Sequence, residues 1–179
     1  MSNQLLIVDT ETTSVNPQDA NILEIALATV DLDSGQIDFV VDTLVCPECR
    51  EEVWLNSWFM SHSGLDPDLI RSAPTFSSIR REIQEHVSQL PTTAYNLYYD
   101  AGVLYYHQVN LPIRAPCLML TCADVLKSTG YGKYKWPKFS EAWAYFFPND
   151  DFKEEHRADY DVLHEAELAV VLYKLGYLM

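Results

Sequence analysis

The chain has 179 residues, 48% of them hydrophobic and 21% charged, which excludes a disordered polymer and allows one domain with a sizeable core. Twelve Lys and Arg oppose 26 Asp and Glu, a formal net charge of -14. That charge disfavours tight binding to long duplexes and leaves a short, locally held strand open, or an acidic protein that imitates nucleic acid. The start of the sequence has no basic-then-apolar signal pattern, and no apolar run has the length of a membrane span. A cytoplasmic protein with no membrane association is the expectation, with residues 1-179 as one domain.

In chain order, the first 45 residues alternate strand-like runs with polar turns. Leu5 to Asp9, Ile22 to Val30 and Ile37 to Val45 predict three strands, the last two joined by a hairpin at DLDSGQ. Trp54 to Met60 predicts a short helix. After Pro74 and a capping Thr75, the residues Phe76, Ile79, Ile83 and Val87 recur at helical spacing. Thr93 to Leu97 predicts a fourth strand, and a helical pattern resumes after Asp100. Cys117 to Thr121 predicts a fifth strand, followed by helical segments near Asp124 and from Pro137 to Phe147. Val162, Ala166, Ala169 and Tyr173 form the apolar stripe of a C-terminal helix. The pattern predicts an α/β domain with a mixed sheet.

The first strand runs into Asp9 and Glu11. Residues i and i+2 of a strand share a face, so these carboxylates project together, repel, and suit a hard cation such as Mg2+ or Mn2+. On the residues alone, the two acids are more readily read as solvated turn residues. Two further stretches bear on them. Tyr95-Asn96-Leu97-Tyr98-Tyr99-Asp100 places an acid between a strand and a helix, and His156-Arg157-Ala158-Asp159-Tyr160-Asp161 heads the last helix. His156 and Asp161 lie ~140° apart around a regular helix, so they converge only if His156 precedes it. Cys46-Pro-Glu-Cys49, Cys117 and Cys122 read as reduced thiols, with a four-cysteine zinc site as the minor alternative.

VDTET, YNLYYD and HRADYD, in that order, resemble the DEDDh branch of the DnaQ-like 3'-5' exonucleases. ILEIA, Gly64-Leu-Asp and Ser72-Ala-Pro-Thr-Phe add matches, so the resemblance spans nearly the whole chain. It implies an RNase H-like five-stranded mixed sheet flanked by helices, and two Mg2+ or Mn2+ ions. Asp9, Glu11, Asp100 and Asp161 match the family's metal-binding acids, and His156 its general base. By the same resemblance Asp9 holds both ions, Glu11 and Asp161 the nucleophile-side ion, and Asp100 supports the other side. Arg157 stands where the sister branch has tyrosine. Departures are Tyr95 for a common His, Ser14 for Gly and Tyr99 for Phe, and Asp159 and His164 are decoys within the last motif.

The activity implied is release of nucleoside 5'-monophosphates from 3' ends of single-stranded DNA or RNA, including short oligonucleotides. Thr12, Thr13, Gly64, Leu65 and Asn96 are the implied contacts to the terminal nucleotide. A homodimer, or a polymerase or repair partner, is left open. Lys127 to Lys138 carries four basic residues with Tyr131, Tyr134 and Trp136, either a platform for a single strand or a solvated loop anchored by Trp136. The rival class is a non-catalytic acidic interaction module or nucleic-acid mimic, which predicts scattered acids without convergence.

Overall fold

In the computed structural model, which describes residues 3–128, 136–153 and 155–178, strand β1 (Gln4–Thr12) buries Leu5, Leu6, Ile7 and Val8 before reaching its two acids. It pairs antiparallel with β2 (Ile22–Asp31), which pairs antiparallel with β3 (Ile37–Leu44). The β2–β3 turn is built as DLDSGQ predicts. Asp31 Oδ1 accepts hydrogen bonds from the Ser34 amide and hydroxyl, both at 2.8 Å, and Gly35 adopts the left-handed φ of 78° that glycine tolerates.

Three short helices follow: α1 (Glu51–Leu55), α2 (Trp58–His62) and α3 (Pro67–Ser72). The single helix expected over Trp54 to Met60 is instead two, because the chain breaks at Asn56 and the Ser57 hydroxyl caps α2 by accepting the Met60 amide at 3.2 Å. Trp54, Phe59 and Ile70 from these helices close on Leu23 of β2 as a satellite core.

Helix α4 (Phe76–Val87) buries Phe76, Ile83 and Val87. Thr75 occupies its N-cap position, but its hydroxyl bonds Ser77 Oγ and caps no amide. Strand β4 covers only Thr92–Thr93, parallel to β1, and α5 (Leu97–Tyr106) begins where the fourth strand was expected to end. Then come α6 (Leu118–Ser128), α7 (Phe139–Phe146) and α8 (Ala158–Lys174). The sheet order is β3-β2-β1-β4, and α8 packs across β1 and β2. Among the described residues, no helix is long and apolar enough to cross a membrane.

The mixed sheet flanked by helices agrees with the expected RNase H-like class, but it has four strands among the described residues where five were expected. Cys117 to Thr121 belongs almost wholly to α6, with Leu118 and Cys122 buried one turn apart. A short apolar run fits a buried helix as well as a strand. The place beside β4 is taken by the preceding segment. Thr92 N–H donates to Ile113 O at 2.9 Å, and Ala115 N–H donates to Thr92 O at 3.0 Å. That contact is a single parallel bridge between Thr92 and Arg114, and Leu118 N–H, already in α6, donates to Ala94 O at 3.2 Å.

Residues 129–135 of the basic aromatic stretch lie outside the described residues. Trp136 is 69% exposed, so it is not a core anchor. Buried Pro137 takes that part, its carbonyl accepting the Tyr95 hydroxyl at 2.7 Å.

Candidate active site

β1 delivers the first acids. Asp9 is paired across the sheet with Ala26, and Glu11 with Glu24. Asp9 Oδ2 is out of contact with solvent and has no hydrogen-bond partner among the described residues. Asp100 sits buried in the first turn of α5, where the helix dipole favours an anion. Its Oδ1 accepts the Thr10 hydroxyl at 2.8 Å. Asp161 is buried in the first turn of α8, its amide donating to Arg157 O at 2.8 Å. His156 precedes that helix by two residues with φ of 52°, the off-helix placement its spacing to Asp161 demands.

These five side chains share one cavity of about 210 Å³. A carboxylate not foreseen joins them: Glu165, buried, lines the same cavity and accepts the Tyr95 amide at 3.0 Å. Its signal in the sequence was its place one turn after Asp161, inside an otherwise apolar stripe. The decoys stay outside. His164 donates to Tyr160 O at 2.7 Å and packs among Trp143, Phe152 and Tyr160, and Asp159 does not line the cavity.

Burial is the first cause that holds Asp9 well above the usual carboxylate range, reinforced by Asp100, Glu165, Glu11 and Asp161. Burial likewise pushes Asp100 up to about 7, against the Thr10 hydroxyl and amide, which hold it down. Burial raises Glu165 well above its ordinary value, with Asp100 and Asp161 adding to it and the Tyr95 amide opposing. Among the described residues, no Lys or Arg lines the cavity. Crowded carboxylates and an orphaned buried oxygen fit a divalent cation bound by hard oxygen donors. Glu11, His156 and Asp161 offer ligand atoms that all lie within 4.8 Å of one another. Asp9 and Asp100 share the cavity without joining that tightest group.

A second hollow, about 620 Å³, adjoins the first through Thr10, Glu11, Asn96, Tyr99 and His156. Thr12, Thr13 and Asn96, three of the expected substrate contacts, line it. Gly64 and Leu65 line neither hollow: Gly64 turns the chain with φ of 67°, and Leu65 packs on the satellite core. Tyr99 fixes the near wall, its hydroxyl bonding Thr12 Oγ1 and donating to Ser14 O at 2.5 Å. The common Phe could not make either bond. No disulfide joins the four cysteines; Cys46 and Cys49 are half-buried, Cys117 and Cys122 are buried, and no three of them form a metal-binding group among the described residues.

A family model described as Exonuclease (RNase T) matches residues 6–169. The chain belongs to this exonuclease family. Among curated protein sequences none matches it significantly. Several solved exonuclease structures share the fold. Cell-death related nuclease 4 (CRN-4) superposes with a TM-score of 0.72 at 14% identity, over 99% of this chain and 66% of that one. The nuclease domain of 3'hExo, a DEDDh family member bound to rAMP, gives 0.69 at 14% identity, over 99% and 96%. Exonuclease I of E. coli in complex with a dT13 oligonucleotide gives 0.65 at 13% identity, over 94% and 40%. This exonuclease chain thus spans 66% of the first and two fifths of the last, and nearly all of the 3'hExo domain. Family match and fold together support the DnaQ-like 3'-5' exonuclease resemblance drawn from its motifs.

Proposed function

We propose that this exonuclease removes nucleoside 5'-monophosphates from the 3' ends of single-stranded DNA or RNA, including short oligonucleotides. The observation that carries the reading is the convergence of Asp9, Glu11, Asp100, Asp161 and His156 on one cavity beside a larger open hollow. Acids of a mere mimic would face solvent. Asp9, Glu11, Asp100 and Asp161 would hold two Mg2+ or Mn2+ ions, which supply an activated water and neutralise charge on the phosphate. His156 accepts the proton of the attacking water, as a general base lining the cavity. Thr12, Thr13 and Asn96 orient the terminal nucleotide so that its phosphodiester faces the acids. Support for the 3' direction comes from the motif set and from relatives such as the 3'hExo domain, bound to rAMP.

Assays with 5'-labelled single-stranded DNA and RNA, in Mg2+, Mn2+ or EDTA, test this. Stepwise shortening from the 3' end is expected with either metal, none in EDTA, and a kcat about 10²–10⁴-fold lower for His156→Ala. Absence of cleavage with every metal and substrate refutes the reading.

The net charge of -14 further predicts distributive action on short strands. Product distributions at several salt concentrations check it: partly shortened strands should dissociate and rebind, and long uninterrupted runs at physiological salt overturn it.

A further inference from the structure

His156 stands in a costly place: a non-glycine residue with φ of 52°, on the segment that enters α8. Its two following residues are held by one carboxylate. Glu24, 1% exposed in the middle of the sheet, accepts Arg157 Nε at 3.0 and 2.9 Å and Arg157 Nη2 at 2.6 Å. The same carboxylate accepts the Ala158 amide at 3.2 Å, which satisfies one of the open donors at the start of α8. Glu24 is also the cross-strand partner of Glu11, so one register sets both the acid and the turn that presents His156. On the opposite side the imidazole meets the Trp58 ring edge-on, centroids 4.8 Å apart at 87°. Trp58 is itself stacked on His62 at 4.3 Å, on a helix anchored through Phe59.

We propose that Glu24, acting through Arg157 and the Ala158 amide, is a positioning residue that braces His156 against Trp58 at the reacting position. A bidentate guanidinium–carboxylate pair with its carboxylate buried is directional in a way a single-point contact is not. Without it the turn relaxes out of the left-handed conformation and the imidazole swings away from the cavity. Neither Glu24 nor Arg157 lines either hollow, so both act at a distance from substrate.

The brace rests on the proposed exonuclease reading for its kinetic readout, and a second readout does not. Arg157 is partly exposed, so Arg157→Gln should fold. It is expected to lower kcat by about 10- to 100-fold with KM within about twofold, the cost of misplacing a catalytic group. Arg157→Lys, which keeps the charge and loses the fork, should fall between. In histidine-labelled protein, the His156 ring protons, assigned with His156→Gln, should sit off their free position because of the Trp58 ring current. That displacement should be abolished in Trp58→Ala and reduced in Arg157→Gln. Glu24→Gln leaves the Arg157 guanidinium without its carboxylate; where it fails to fold, Glu24→Gln/Arg157→Gln, with an amide pair and no charge, should still show the kinetic loss and the moved resonance. A folded Arg157→Gln with wild-type kcat, a change confined to KM, or an unmoved His156 resonance overturns the brace. If the wild-type chain cleaves nothing, the exonuclease reading fails, and the resonance alone decides the brace.

Discussion

Asp9→Asn is expected to lower kcat by about a thousandfold or more, while making the metal-free protein more stable. The two effects have one cause. Asp9 is placed among Asp100, Glu165, Glu11 and Asp161, with a buried Oδ2 that no described group satisfies. An amide of the same size removes the repulsion and also removes a buried, unsatisfied carboxylate oxygen that can serve a cation. Steady-state kinetics in saturating Mn2+ and thermal melts in EDTA measure the two sides separately. Unchanged kcat would falsify a central role for Asp9. A lower melting temperature in EDTA would instead show that its carboxylate makes a net stabilising contact without metal.

The second large effect is a stability that falls as pH rises in the absence of metal. Asp100 is raised from its ordinary 3.8 to about 7, and Asp9 and Glu165 are raised well above their own values. Between pH 4 and 7 the unfolded chain has released these protons while the folded chain retains them. Folding then binds protons, and its free energy weakens with each step upward in pH. Below pH 4 both states are protonated and this contribution is fully present. In EDTA the melting temperature should therefore drop by about 5–10 °C from pH 4.5 to 7.5, a few kcal/mol for a chain of this size. Mn2+ should restore it, and by more at the higher pH, because the cation binds the deprotonated acids. General self-repulsion of an acidic chain also lowers stability with pH, so the deciding comparison is Asp100→Asn, which should flatten the curve. A variant as steep as wild type shows that the cavity acids do not control it.

The features legible in the sequence are those that a local period or a short motif encodes. Four buried residues and then two acids at alternate positions make a strand with a charged end wherever the chain is read. The Asp31–Ser34–Gly35 turn closes on its own hydrogen bonds. Stripe spacing located α8, and the five-residue interval between His156 and Asp161 required the histidine to stand before it. Cys117 to Thr121 was misleading because a five-residue apolar run has no period of its own. Whether it pairs with β4 or coils depended on Ile113–Ala115 having already taken the edge.

What the sequence determined by itself, then, is the identity of the acids and the elements that carry them, because those depend on neighbours a few positions away. The tertiary structure alone decided that Glu165 shares the cavity, that Glu24 grips Arg157 across 133 positions, and that Trp58 meets His156. Each is a contact between distant segments, set by sheet register and helix packing. A glutamate in an apolar stripe, such as Glu165, stands out locally, but its sequence neighbours do not show which distant groups it will meet.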